Sequence, residues 1–181
     1  MQQSNFLVWI DLEMTGLNEQ QDTILEIATF ITDNNLQIVA TGPDLVIHQS
    51  QERLSRMQEV VENLHRQSGL LDLVTISPVN LQQAEEQTLA FLMQYCVPQT
   101  ALLCGNSVWK DKAFLAQHMP RLHDFFYYRI VDVSSVKELI NRWYPGQVDK
   151  NSFKKSEAHR ASDDILESIE ELRYYRKTFF K

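Results

Sequence analysis

Two acidic residues two positions apart, Asp11 and Glu13, follow directly on the apolar run Phe6-Leu7-Val8-Trp9-Ile10. On an extended chain alternate side chains share a face, so both carboxylates point one way while Leu12 points the other. Two carboxylates so placed can share a hard cation, although acids at strand ends are also commonly just solvated. Asp111 stands out by its helical position, sharing a stripe with Phe114, Leu115 and His118 at i+3, i+4 and i+7. An acid on an apolar face is unusual; the plainer alternative is an aspartate favoured near a helix start by the macrodipole. Asp163 and Asp164 are adjacent, and helical geometry separates them. At about 100° per residue Asp163 joins Glu167 and Glu170 on the polar side, whereas Asp164 flanks the stripe of Ala161, Ile165, Ser168, Ile169, Leu172 and Tyr175. Asp164 is therefore the inward-facing candidate ligand and Asp163 the solvated one. His159 stands at the start of the same helix. A histidine there is most often exposed or capping, but with an ordinary pKa of roughly 6.5 it can also take a proton from water at neutral pH.

The elements that must position these residues follow from pattern and punctuation. Phe6 to Ile10 is a continuous apolar run, suited to a central strand covered on both faces, and the polar chemistry begins where it emerges. Thr23 to Thr32 and Leu36 to Ile47 are rich in β-branched residues and are separated by Asp33-Asn34-Asn35, which predicts two further strands in an antiparallel meander with the first. Leu54, Met57, Val61 and Leu64 predict a helix over Gln51 to His65, and a second runs from about Asn80 to Tyr95. A short strand, Ala101 to Cys104, precedes Gly105-Asn106-Ser107 and a helix from Trp109 to His118 that Pro120 stops. Ile130 to Val133 predicts a last strand, followed by a helix from Ser134, its expected N-cap, to Trp143. Pro145 to Ser156 reads as a loop, and a long helix runs from about Ala158 to Phe179. Three antiparallel strands followed by alternating helices and strands predict an α/β mixed-sheet domain occupying residues 1–181 as one unit.

Composition limits the function classes. The chain has 181 residues, 44% of them hydrophobic and 23% charged, in the ordinary range for one globular domain. No run approaches the roughly 20 apolar residues of a membrane span, and the polar start Met1-Gln2-Gln3-Ser4-Asn5 does not resemble a signal peptide, so a cytoplasmic location is expected. The two cysteines, Cys96 and Cys104, read as reduced thiols. A formal charge of −7 argues against a broad basic surface gripping long nucleic acid. It does not argue against a nucleic-acid enzyme, because cations bound among carboxylates bring their own charge and a short substrate offers few phosphates.

In order along the chain, WIDLEMTGL (Trp9 to Leu17), GNSVWKDKAFL (Gly105 to Leu115) and AHRASDDI (Ala158 to Ile165) resemble the three motifs of the DEDDh group of 3′→5′ exonucleases. Within that group the sequence is most similar to the oligoribonuclease family. HQS (His48 to Ser50), HRQSGL (His65 to Leu70), YYRIVDVSSVKEL (Tyr127 to Leu139) and the late Tyr-Tyr-Arg also fit it, so the likeness covers nearly the whole chain. The resemblance implies an RNase H-like fold, a homodimer, and degradation of very short single-stranded RNA from the 3′ end to mononucleotides. By the same resemblance Asp11, Glu13, Asp111 and Asp164 bind two Mg²⁺ or Mn²⁺ ions and His159 activates the attacking water. Ser107, Arg129 and Ser134 match positions that cap the 5′ phosphate of a dinucleotide, with Tyr128 supplied by the partner subunit. Leu17 matches a residue that wedges against a base, and His65 one that lies beside the substrate backbone. The chain departs from the family at Val60, where a base-stacking tryptophan is expected and valine offers no aromatic face.

Two rival readings stand beside this one. The same chemistry could serve a DNA proofreading or repair exonuclease, and a module of this shape could bind RNA without cutting it. The acidic charge and the phosphate cap favour short RNA over DNA, and retention of all five catalytic residue types favours an enzyme over a binding module.

Overall fold

The computed structural model describes residues 4–149 and 160–180. Strands β1 (Phe6–Met14), β2 (Ile24–Asp33) and β3 (Ile38–Val46) come first, followed by helices α1 (Gln51–Leu54), α2 (Glu59–Gln67), α3 (Leu70–Ile76) and α4 (Leu81–Leu92). Then come β4 (Leu102–Gly105), α5 (Trp109–His118), α6 (Pro120–Phe125), β5 (Ile130–Asp132), α7 (Val133–Trp143) and α8 (Ala161–Phe179). The sheet order is β3-β2-β1-β4-β5; β1, β2 and β3 pair antiparallel, while β4 and β5 add in parallel. This is the expected mixed RNase H-like arrangement.

Helices cover both faces of the sheet, which accounts for the unbroken apolar run of β1. Even-numbered Val8, Ile10 and Leu12 pack with Ile27, Ile31, Phe114 and Leu122. Odd-numbered Trp9 packs instead with Ala28, Cys104, Ile165, Ile169 and Tyr175. Strand parity then carries Asp11 and Glu13 onto the α8 face. The strand does not end at Ile10 as expected: Asp11 pairs with Ala28 and Glu13 with Glu26, and the register shifts only between Glu13 and Met14.

Several other boundaries differ from expectation for local reasons. The predicted helix over Gln51 to His65 is two helices. The Ser55 hydroxyl donates to the Glu52 carbonyl at 2.9 Å, ending the first, and Gln58 is extended (φ −69°, ψ 143°) before the second. The break lets Leu54 and Met57 pack with Leu70, Leu71 and Val74. That cluster includes α3, which the pattern did not reveal and which starts after Gly69 at φ 73°, a left-handed conformation that glycine adopts without a steric cost. Pro120 follows the end of α5 but also opens α6, where its missing N–H costs nothing. The N-cap of α7 is Asp132 and not Ser134: the Asp132 carboxylate accepts the Ser134 N–H at 2.9 Å.

Candidate active site

Asp11 and Glu13 on β1 and Asp164 on α8 bring one carboxylate oxygen each to within 4.8 Å of one another, all three half-buried. Asp163, one residue away, is not part of this group, although it is half-buried like Asp164 and not solvated as expected. Asp111 is 5% exposed and approaches from α5. One of its oxygens accepts the Leu12 N–H at 3.0 Å. The β1–β4 ladder stops at Trp9 and Cys104, so β4 does not reach that N–H and the Asp111 carboxylate takes the place of a strand partner. Gly105 permits the close passage, since a Cβ there would lie 3.0 Å from the Ile10 carbonyl oxygen.

These acids sit together at an electrostatic cost. Burial, followed by repulsion from Asp111, Asp164 and Glu13, raises the Asp11 carboxyl well above the usual range. Burial, Asp164 and Glu26 push Glu13 up to about 8, opposed by Arg160. Asp111 is pushed up to about 7 by burial, against the stabilising pull of backbone N–H groups. A cluster of oxygen donors that resists ionisation without a counter-ion matches what hard divalent cations require.

One acid beneath the cluster, Glu26, has no counterpart among the candidates read from sequence. Glu26 on β2 is fully buried opposite Glu13. Its carboxylate accepts bonds from the Arg160 guanidinium (Nε–H at 2.9 Å) and from the Ala161 N–H at 3.1 Å. Glu26 therefore anchors the first turn of α8, the turn that carries Asp164. The available signal was a lone acid inside the apolar stretch ILEIATFIT, a residue type rarely buried unless paired.

The remaining expected substrate residues fall into separate groups. Leu17 is 71% exposed on a loop closed by Asp22, whose carboxylate accepts from the Thr15 hydroxyl (3.0 Å) and the Asn18 N–H (2.9 Å). Lys110 donates to the Leu17 carbonyl at 3.0 Å and tethers that loop to α5. His65 is 1% exposed at the end of α2. The end of α2 packs it behind β1, where Nε2–H donates to the Met14 carbonyl at 2.8 Å and Nδ1 lies 3.8 Å from Glu13. Val60 is 81% exposed.

Ser107 and Ser134 meet, with their hydroxyls 3.1 Å apart. Ser107 has φ 50°, a region unusual for a residue with a side chain, and its N–H donates to Asp132 at 3.0 Å. Behind this pair Asn106 links two elements. It accepts from the Ser134 hydroxyl (3.1 Å) and donates to the Ser168 hydroxyl on α8 (2.8 Å). Sequence reading passed over Asn106 as loop punctuation. Arg129 precedes β5 and donates through Nε–H to the hydroxyl of its own neighbour Tyr128 at 2.9 Å. His159 lies outside the described residues. A cleft of about 870 Å³ opens beside the Leu17 loop between Asp22, Arg53 and His118, and none of the four acids lines it.

Residues 8–172 match the family model described as exonuclease, RNase_T. The chain is 51% identical over 181 residues to the oligoribonuclease of Pseudomonas aeruginosa strain PAO1, covering 100% of this chain and 99% of that protein. It is 50% identical over 175 residues to the oligoribonuclease of Shewanella loihica, covering 97% and 96%. Among solved structures it is similar to E. coli exonuclease I in a zinc-bound complex with single-stranded DNA, with a TM-score of 0.78 at 15% identity. Exonuclease I of Methylocaldum szegediense gives 0.73 at 16%. The chain spans 41% of each of these longer chains, and at such identities the likeness is one of fold.

Proposed function

The chain belongs to the RNase_T exonuclease family, and we propose that it is a metal-dependent 3′→5′ exoribonuclease that degrades short oligoribonucleotides, above all dinucleotides, to nucleoside 5′-monophosphates. One observation carries the reading: Asp11, Glu13 and Asp164, from a strand and a helix far apart in sequence, converge within 4.8 Å in a chain half-identical to oligoribonucleases.

Asp11, Glu13, Asp111 and Asp164 would hold two divalent cations, Mg²⁺ or Mn²⁺. The donor set fits, being oxygen only, partly buried and short of positive charge. When bound, the cations stabilise charge on the phosphodiester and ease deprotonation of water. His159 accepts the proton of the attacking water. Glu13 lies opposite Glu26 across the strand pair, with its carboxylate 3.8 Å from His65 Nδ1. Leu17 packs against a base. Ser107, Ser134 and Arg129 close on a 5′ phosphate, where the planar guanidinium can make paired charge-assisted bonds. Tyr128 is 66% exposed and comes from the second subunit of a homodimer. One exonuclease domain over residues 1–181 and a cytoplasmic location complete the proposal. They are supported by the one five-stranded sheet among the described residues and by the two free cysteines. No helix among the described residues is long and apolar enough to cross a membrane.

The test is digestion of a 5′-phosphorylated diribonucleotide followed by chromatography. Mononucleotide 5′-phosphates should form with Mg²⁺ or Mn²⁺, stop with EDTA and resume when the metal is restored. Cleavage that persists in EDTA would remove the metal-dependent reading.

A further inference from the structure

Trp109 is the first residue of α5 and is 57% exposed, two positions before the inward-facing Asp111. Its indole is not isolated. The Lys110 ammonium lies 4.8 Å from the ring centroid and also donates to the Leu17 carbonyl at 3.0 Å and to the Glu19 carboxylate at 3.2 Å. One ammonium group therefore ties an exposed aromatic ring to the backbone of the loop that bears Leu17. Leu17 is itself 71% exposed, and its loop follows the end of β1 at Met14, one residue beyond Glu13. Val60, 81% exposed, has no aromatic face to offer a base.

We propose that Trp109 is a stacking platform for a nucleobase of the bound oligonucleotide, providing beside Leu17 the aromatic face that Val60 lacks. The inference rests on the oligonucleotide reading given above. Every nucleobase has a π-face that stacks on an aromatic side chain. The cation on the ring favours this use. Lys110 restricts the indole and holds it near Leu17, so less freedom is lost when a base docks. Trp109 touches no reacting atom in this account; it sets affinity and the preference for one base over another.

The experiment compares wild type with Trp109→Ala, Trp109→Leu and Trp109→Phe on 5′-phosphorylated purine and pyrimidine diribonucleotides, with the mass of each variant in solution measured alongside. Stacking predicts that Trp109→Ala and Trp109→Leu raise KM about 10-fold while kcat stays within about 3-fold. Trp109→Phe should recover most of the loss, and purine substrates should lose more than pyrimidine ones. Because leucine keeps the bulk without the π-face, equal rescue by leucine and phenylalanine overturns the proposal. So does an unchanged KM in Trp109→Ala. Dissociation of a dimer in that variant, with the KM loss following subunit concentration, overturns it in favour of a contact between copies of this chain. Failure of the wild type to cleave dinucleotides would instead bring down the parent reading, and this inference with it.

Discussion

The two ends of the proposed substrate site are built on opposite principles. At the carboxylate end, Asp11, Glu13 and Asp164 are crowded so that Asp11 and Glu13 resist ionisation, and the backbone holds them there through β1 and the anchored start of α8. At the serine end, Ser107, Ser134, Asp132 and Asn106 satisfy one another through hydrogen bonds of 2.9–3.1 Å. The first end stores unfavourable charge that a cation relieves. The second is already satisfied, and a phosphate there must replace existing bonds with stronger charge-assisted ones. Affinity for metal therefore depends on keeping the acids together, whereas recognition of the 5′ phosphate depends on an exchange of partners and is the weaker effect.

The sharpest way to break this contrast is at Asp164. Asp164→Ala should lower kcat by at least about 1000-fold, since a cation's charge stabilisation is worth several kcal/mol and each 1.4 kcal/mol is tenfold. Asp163→Ala, with its carboxylate outside the cluster, should keep activity within about 3-fold. Steady-state rates on one dinucleotide, with circular dichroism to check folding, would decide, and the reverse ranking would exchange the two assignments.

Next comes the support of the cluster. Arg160→Ala leaves the fully buried Glu26 without its ion partner, so a loss of about 3 kcal/mol in urea unfolding is expected, together with weakened Mg²⁺ activation. An unchanged midpoint would show that α8 does not depend on this anchor.

At the other end Arg129→Ala should reduce turnover of 5′-phosphorylated dinucleotides by about 10-fold or more, the range for a hydrogen bond to a charged group. Unphosphorylated dinucleotides should be little affected. Equal losses on both would remove Arg129 from the phosphate cap and leave it as the partner of Tyr128 seen here.

Stability against pH probes the cluster without its cations. Above about 4.5, its ordinary value, Glu13 gives up its proton in the unfolded chain, while the folded metal-free protein retains it up to about 8. The folded state then binds more protons, so its stability falls as pH rises through that window and levels off above it. Asp111 acts the same way, up to about 7. In EDTA the Tm should drop by several degrees between pH 5 and pH 8, at about 2–4 °C per kcal/mol. Mg²⁺ should restore more at pH 8 than at pH 5. A flat profile in EDTA would mean that the cluster is not strained.

The carboxylate end was the more legible of the two in the sequence, because parity and helical period are geometric. Alternation put Asp11 and Glu13 on one face, and 100° steps chose Asp164 over Asp163. The strand nevertheless runs four residues past the apolar run, because β2 continues to pair with it through Glu13 whatever the polarity of the side chains. The split at Ser55 escaped the periodicity because Leu54 and Met57 pack on α3 at the same spacing that one helix would give. Glu26, Asp132 and Asn106 act through partners more than 20 residues away or through a cap, which no local pattern displays. His65 was legible as a motif residue but not in its direction, since only the packing of α2 behind β1 turns it toward Glu13. The roles of Leu17, Tyr128 and Arg129 came from family resemblance alone, because exposed side chains carry no packing signal.

The central claim is that a strained acid cluster paired with a short-range phosphate cap makes an exonuclease for very short RNA. It is tested most directly by incubating the pure protein and Mg²⁺ with 5′-phosphorylated, end-labelled RNAs and DNAs of graded length. The account predicts kcat/KM highest on the diribonucleotide, declining as the RNA lengthens, and lower on DNA of every length. Rates that rise with length, or that favour single-stranded DNA, would contradict it.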